Sequence, residues 1–433
     1  MATKITRISE IARERPKEIF TSVYHLINHE LLLECFTEID GNKAVGLDKV
    51  TKEEYMGNLG ENLNNLVSRL KTMSYRPTPA RKVNIPKANG KLRGLAIANF
   101  EDKIVQMAVK KIVEAIFEPK FPKSMFGFRP NIGQHDALRY LNESIERQYT
   151  SYIIDADIKG FFDNINHENL MKCLEMHIRD TNLLRLIKRF LKAGIIEGTE
   201  YHEGEIGTPQ GSILSPILAN IYMYYCLALW FENAIKKKAR GYCSITIFAD
   251  DFVCCFQYKN EAQVFYEKLL PERLAKGKLE LARDKTRLIE FGRFAKENCK
   301  TGKPETFDFL GFTHYCSKSK NGKFRVKRKT SKKKFKTKVQ EFNIWMKNSR
   351  NEKLGDIMAT IKRKLSGHYN YYGITDNSEM ISNYAYCVRK LTMKWLNRRS
   401  QKKSYDSAGF NQMLNYFQLP VPKIKVSIYA NHE

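Results

Sequence analysis

The sequence predicts an α+β protein whose strands come as hairpins set among helices. Val83 and Ile85 alternate with polar neighbours, Ala88-Asn89-Gly90-Lys91 turns the chain, and Leu92, Leu95 and Ile97 return. A second apolar stretch, 244–256, carries Asp250-Asp251 at its middle, the pattern of a hairpin tipped with two acids. Long amphipathic segments on either side have helical spacing.

Residues 1–75 read as helices interrupted around Gly41 to Gly46 and Gly57 to Gly60. The hairpin at 80–97 follows. A helix over 101–118 is expected from Ile104, Met107, Ala108 and Ile112. Tyr152 to Ile158 reads as a buried strand, and 167–193 as a return to helix. Ser215-Pro216 predicts a helix start, with Ser as N-cap and Pro in the first turn. Three further amphipathic helices are centred on Phe335 to Met346, Leu354 to Leu365 and Tyr384 to Trp395.

Charge divides the chain. It has 74 Lys and Arg against 47 Asp and Glu, a net +27. An excess of this size speaks to partners rather than fold, and suits a polyphosphate such as RNA or DNA. Between Lys318 and Lys364 lie 18 Lys or Arg and three acids, so a boundary is placed near 316–330. A solvated charged face is the default reading of such a run. Here Trp345, Tyr369, Tyr371 and Tyr372 stand beside it, a combination that suits backbone tracking with stacking on unpaired bases. These rings equally suit packing between helices. No apolar run approaches the ~18 residues of a membrane span, and the N-terminus lacks a signal-peptide core, so a cytoplasmic location is expected. Nine scattered cysteines without a C-x-x-C pair argue against a disulfide framework and against a zinc knuckle.

Asp157 ends an apolar strand, and Asp250 and Asp251 tip an apolar hairpin. Carboxylates in such settings repel one another and lose hydration, so they call for cations. Two Mg²⁺ ions about 3.5–4 Å apart would satisfy them, since Mg²⁺ takes oxygen ligands and shares them with phosphates. Each Asp alone is equally a turn or cap residue. The set carries the argument: Asp157 to Asp163, then Gly207 to Pro216, then Phe248 to Asp251.

That constellation closely resembles the reverse transcriptases encoded by bacterial group II introns, the intron maturases. The resemblance runs over nearly the whole chain. It is carried by Tyr75 to Leu95, Phe126 to Pro130, Asp155 to His167, Gly207 to Tyr222, Phe248 to Phe252, Leu281 to Gly292, Phe307 to Phe312, Lys364 to Gly373 and Trp395 to Lys403. It implies a right hand with an N-terminal helical extension (1–75), fingers and an antiparallel-sheet palm (76–315), a basic helical thumb (316–365) and a helical maturase or RNA-binding segment (366–433).

The resemblance further implies an RNA-directed DNA polymerase that adds dNTPs to a primer 3′ end and binds intron RNA to assist splicing and mobility. Its partners would be an RNA template, the intron RNA, a DNA primer or target and dNTPs. Its cofactor would be two Mg²⁺, with Mn²⁺ able to substitute. Asp157, Asp250 and Asp251 match the catalytic, metal-binding triad, with Ile158 beside them in the metal set. Arg81, Lys87 and Arg93 match fingers residues that hold the triphosphate. Their alternative is a solvated hairpin face. Phe162 is the choice for the ring under the sugar that excludes a 2′-hydroxyl, with Phe161 as core, though the two can be exchanged. Gln210 and Gly211 match the loop near primer and nucleotide, and Lys285 a palm lysine near the phosphates.

Phe248 stands where most members have tyrosine, so its ring can pack at the primer end without the hydroxyl. No cysteine follows Cys387, and no endonuclease is expected. A domesticated enzyme with a host role such as antiviral defence, and a splicing-only RNA-binding factor, are the alternatives. The present maturase segment weighs against the first and the intact triad against the second. A diversity-generating relative would differ at Thr208-Pro209-Gln210-Gly211.

Overall fold

The computed structural model describes residues 2–86, 92–298, 302–402 and 404–429. The expected turn 88–91, and Lys87 with it, lies outside them.

Four helices, α1 (Ala2–Glu14), α2 (His29–Glu38), α3 (Lys52–Gly57) and α4 (Leu59–Lys71), open the chain with breaks at both expected glycine pairs. A reciprocal cap between Thr51 and Glu54 starts α3. Strands β1 (Ala80–Pro86) and β2 (Leu92–Ile97) pair antiparallel, as the alternation predicts. Helix α5 (Phe100–Phe117) is buried along most of its length. Helix α6 (Gln134–Glu146) leads to strand β3 (Tyr152–Asp157).

The helical stretch expected over 167–193 comprises two helices, α7 (His167–Glu175) and α8 (Thr181–Lys192). Asp180 separates them: its carboxylate caps α8 through the Asn182 and Leu183 amides and also accepts from Val23 and Tyr24 at 2.7 Å. Capping chemistry overrides the run of apolar periodicity here. Strands β4 (Ile195–Glu197) and β5 (Glu200–His202) then extend the β1–β2 hairpin into one sheet of order β2-β1-β4-β5. Helix α9 begins at Ser215 with Pro216 in its first turn, but Leu214 holds the cap position. The Ser215 hydroxyl donates to the Pro209 carbonyl instead, so it fastens the preceding loop.

Strands β6 (Cys243–Phe248), β7 (Asp251–Phe256) and β8 (Arg287–Glu290) join β3 in a wholly antiparallel sheet, order β6-β7-β3-β8. Its two faces bury different cores. Ile154, Ala156, Phe252, Cys254 and Phe256 pack with the N-terminal helices. Ile153, Val253 and Cys255 belong to a second core, shared with α6 and the C-terminal part of the chain. Alternation along a strand sends odd and even positions to opposite faces.

The basic stretch does not begin as helix. Strands β9 (Phe307–Phe309), β10 (Phe312–Lys318) and β11 (Phe324–Thr330) form a small antiparallel sheet across the boundary expected at 316. Lysines and arginines alternate there with buried Val326, Arg328 and Thr330, a strand period hidden inside a charge run. Helices follow at Lys332–Ser349, Leu354–Tyr372, Ser378–Leu396 and Ser407–Phe417. The second runs straight through the expected 365/366 limit, and the first three share one core of Phe342, Ile361, Leu365, Tyr384 and Val388. No packing boundary falls at that limit. Among the described residues no helix is long and apolar enough to cross a membrane.

Candidate active site

Residue parity along β3 and β7 builds the site. Asp155 and Asp157 follow Ile153 on the odd face, and Asp251 precedes Val253 and Cys255 on the same face. Asp157 and Asp251 are direct partners in the β3–β7 ladder, as are Phe248 and Asp251 in the β6–β7 ladder. Ala249 and Asp250 thus form a two-residue turn, and Ala249 has φ 59°. Like charges directly opposite across a ladder destabilise it.

Two further acids that the sequence reading passed over join them, the first by the same parity. Asp155, two residues before Asp157, and Asp308 of β9 line the same cleft as the triad and Lys285. The spacing Asp155-x-Asp157 was the available signal. The cleft, about 1020 Å³, runs from the carboxylates to Lys334, Lys338 and Lys364 on the C-terminal helices.

Charge in this cleft is under tension. Burial, then repulsion from Asp155, Asp250 and Asp157, raises the Asp251 carboxyl well above the ordinary range. Burial and the charge of Asp157 push Asp250 up as well. Asp155 is raised to about 6 by burial, against the pull of Arg287, whose Nη2 lies 3.3 Å away. Lys285 Nζ donates to Asp157 Oδ2 at 2.6 Å, and that bond raises the lysine in turn.

The donors are carboxylate oxygens, the set that Mg²⁺ takes, and a cation would relieve the repulsion that lifts Asp250 and Asp251. Among the described residues no three acidic, His or Cys side chains are gathered as a ready metal cage. Lys285 supplies positive charge at Asp157. Ile158 is buried and bridges Leu281, so only its backbone carbonyl is chemically able to ligate.

The segment 124–127 is the turn's support. Phe126 donates its amide to the Ile247 carbonyl and Ile247 donates to Ser124, extending β6. A Cβ on Gly127 would fall 2.5 Å from the Ala249 nitrogen, so only glycine lets this strand approach. Asn220 of α9 donates to the Gly127 carbonyl at 2.7 Å. Phe128 stands edge-on to Phe162 at 6.1 Å. Phe161 is 1% exposed and belongs to the core, while Phe162 stays half-buried.

The 207–213 loop is tied to both sides. Thr208 donates its amide to the Phe162 carbonyl, and Ala96 of β2 donates to the Gln210 carbonyl. The Gln210 side chain accepts from Arg93 Nε at 2.7 Å. Gly211 has φ 110°, and a Cβ there would meet the Ala96 carbonyl at 2.7 Å. Buried Gln106 of α5 accepts from Ser212 and Ile213, a support with no motif to announce it. Arg93 and Gln210 are therefore brought together. Arg81 is not with them: its guanidinium donates to the Val45 carbonyl at 2.7 Å and fastens the 43–48 loop to the hairpin. Phe248 is half-buried against the second core.

Comparison with known proteins agrees with this architecture. The family model "Reverse transcriptase (RNA-dependent DNA polymerase)" matches residues 85–314, and "Group II intron, maturase-specific domain" matches 332–412. "Group II intron-encoded protein LtrA" of Lactococcus lactis subsp. cremoris is 37% identical over 224 residues, covering 51% of this chain and 37% of that protein. "Protein YkfC" of Escherichia coli K12 is 34% identical over 207 residues, 46% of this chain and 53% of that protein. "Uncharacterized 91 kDa protein in cob intron" of Schizosaccharomyces pombe is 34% identical over 199 residues, 46% and 24% respectively. The chain thus spans about half or less of the length of these relatives. The first model covers more than half of the 433 residues, and the chain belongs to the reverse transcriptase (RNA-dependent DNA polymerase) family, with a group II intron maturase-specific domain behind it.

Proposed function

We propose that this protein is an RNA-directed DNA polymerase that extends a primer 3′ end with dNTPs, and that it binds group II intron RNA to assist splicing and mobility. The observation that carries the reading is the ladder pairing of Asp157 with Asp251, with Asp250 at the adjoining turn. In the reaction the primer 3′-hydroxyl gives its proton to solvent, its oxygen bonds to the α-phosphorus, the bond to the β-phosphate oxygen breaks, and pyrophosphate leaves. Asp157, Asp250, Asp251 and the Ile158 carbonyl would hold two Mg²⁺, which supply charge neutralisation on the triphosphate and acidify the primer hydroxyl.

Arg93, oriented by Gln210, donates to the phosphates, where charge-assisted bonds strengthen as negative charge develops. Lys87 of the same hairpin is assigned with it. Arg81 acts by positioning the hairpin and the 43–48 loop. Lys285 leaves Asp157 for a phosphate oxygen when nucleotide binds. Phe162 lies under the sugar and excludes a 2′-hydroxyl. Gly211 lets the loop approach the primer and Phe248 packs at the primer end. The basic C-terminal helices take the duplex and the intron RNA, because unpaired Lys and Arg release counterions on meeting phosphate.

Primer extension on an RNA template with dNTPs and Mg²⁺ tests the reading. Wild type should extend, and Asp250→Ala with Asp251→Ala should not, while RNA affinity is kept. A folded, RNA-binding wild type that fails to extend under varied Mg²⁺ and Mn²⁺ would overturn the polymerase half and leave a splicing factor.

A further inference from the structure

Asn220 is a polar residue in an apolar place. It lies midway along α9 (Ser215–Met223), where Ile217, Leu218, Ile221 and Met223 are all buried. It is itself only 3% exposed. A buried side-chain amide costs stability unless its hydrogen-bonding groups are met. Asn220 directs its Nδ2 at a backbone atom 93 residues earlier in the chain, the Gly127 carbonyl, at 2.7 Å.

The Gly127–Phe128 peptide stands between two halves of the proposed site. On one side is the turn that bears Asp250. A Cβ on Gly127 would fall 2.5 Å from the Ala249 nitrogen and 3.1 Å from the Phe248 carbonyl carbon. On the other side Phe128 is left-handed, at φ 58°. A bulky residue rarely adopts that conformation, and it persists only where the surroundings impose it. Burial of the ring does not offset the strain, since Phe128 is 48% exposed. What the conformation achieves is placement. The Phe128 ring stands edge-on to Phe162, with 84° between the planes.

The segment is anchored on both sides of this peptide. Phe126 is laced to β6 through the Ile247 carbonyl. Arg129 folds back, donating Nη1 to the Pro122 and Met125 carbonyls and meeting Glu118 Oε1 through Nε and Nη2. Between these anchors Asn220 fixes the plane of the 127–128 peptide. The same helix also holds the nucleotide loop, because Ser215 Oγ donates to the Pro209 carbonyl at 2.9 Å, next to Gln210. Helix α9 is therefore a common mount for the Gln210 loop, the Asp250 turn and, through Phe128, the Phe162 ring.

We propose that Asn220 is a positioning residue for the polymerase reaction. By fixing the Gly127–Phe128 peptide it sets the Asp250 turn on one side and the Phe162 ring on the other, so one buried amide governs both rate and sugar selection. A side chain that served packing alone would affect stability without linking these two. The inference rests on the polymerase reading above, and one of its measurements needs no catalysis.

Asn220→Leu keeps the size of the side chain and removes the donor. In single-nucleotide incorporation it should lower kcat for dNTP by about tenfold to a hundredfold, with KM nearly unchanged. It should also lower the preference for dNTP over rNTP by about tenfold. Phe128→Ala should lower that preference more than it lowers the rate. The two losses of preference should not multiply. The double variant should match Asn220→Leu alone, because both changes act through one ring. Mn²⁺ binding without nucleotide, followed by electron paramagnetic resonance, should weaken about tenfold in Asn220→Leu and hold in Phe128→Ala. Should Asn220→Leu not fold, Asn220→Ser, whose hydroxyl falls short of the carbonyl, is read in the same way. A folded Asn220 variant that keeps wild-type rate, preference or Mn²⁺ affinity overturns the proposal, and so do losses of preference that multiply. Failure of wild type to extend, with Mn²⁺ binding weakened by Asn220→Leu, would count against the polymerase reading and not against the positioning of the turn.

Discussion

Lys285 Nζ and Asp157 Oδ2 are 2.6 Å apart across the mouth of the cleft, so the protein carries its own cation at the first of its three acids. The lysine side chain is 60% exposed, and an ion pair so placed contributes about 0–1 kcal/mol. Lys285→Ala should leave the melting temperature nearly unchanged. It should lower the Mg²⁺ concentration for half-maximal extension, because a competitor has gone, and raise the KM for dNTP, because a phosphate partner has gone. A Mg²⁺ titration at fixed dNTP, then the reverse, separates the two effects.

Asp251 is the acid most opposed by its surroundings, buried and repelled by Asp155, Asp250 and Asp157. Asp251→Asn removes a charge and keeps the shape. In the absence of divalent metal it should stabilise the protein by on the order of 1 kcal/mol, seen in chemical denaturation. In the presence of Mg²⁺ it should slow extension by about a hundredfold or more. Gain of stability with loss of activity is the expected signature of a site that stores repulsion for a ligand.

The left-handed turn at Ala249 depends on a neighbour without a side chain. Gly127→Ala sets a Cβ 2.5 Å from the Ala249 nitrogen, against backbone that has no room to yield. A cost of about 1–3 kcal/mol is expected from such overpacking. Extension should fall further than the melting temperature suggests, since Asp250 shares the turn.

Phe162 is half-buried with one edge against Phe128, and Phe161 is sealed beneath it. Phe162→Ala should reduce the preference for dNTP over rNTP by about tenfold or more. Phe161→Ala should instead lower stability, by about 3–5 kcal/mol for a core ring. Single-nucleotide incorporation with each class of triphosphate, beside thermal denaturation, distinguishes them.

His368 is buried and stacked on Tyr384 at 3.7 Å, and burial, helped by the charge of Lys338, lowers it to about 4. An unfolded chain holds its histidine proton up to about pH 6.5. Between those values the unfolded state binds more protons, so stability is full above pH 6.5 and is lost as pH falls toward 4. The loss across this window is on the order of 3 kcal/mol. Buried His314 is lowered too and acts in the same direction. His368→Phe should flatten the dependence of the urea midpoint on pH across this window.

The elements that carry chemistry were the most legible from sequence. Strand alternation announced β1–β2, and apolar runs on both sides of Asp250-Asp251 announced the acid-tipped β6–β7 hairpin, whose strands are buried on both faces. What escaped depended on contacts distant in the chain. The break between α7 and α8 is made by Asp180 bonding back to Val23 and Tyr24. Nothing local says that Arg81 is taken up by Val45 or that Gln106 holds the Ser212 hydroxyl and the Ile213 amide. The sheet at 307–330 was masked by its lysines, whose charge drew attention away from their period of two. Asp155 was visible by parity alone and passed over because its neighbour two residues on fitted the motif.

That parity reaches beyond the active site. Cys254 and Cys255 are adjacent in the chain and fully buried, yet one belongs to the core shared with the N-terminal helices and the other to the core shared with α6 and the C-terminal part of the chain. The central sheet is thus a partition one strand thick, with the acids at one end of its two middle strands. Two spectroscopic labels one residue apart would sit in separate rooms, and each would report movement of its own half of the molecule while remaining silent about the other.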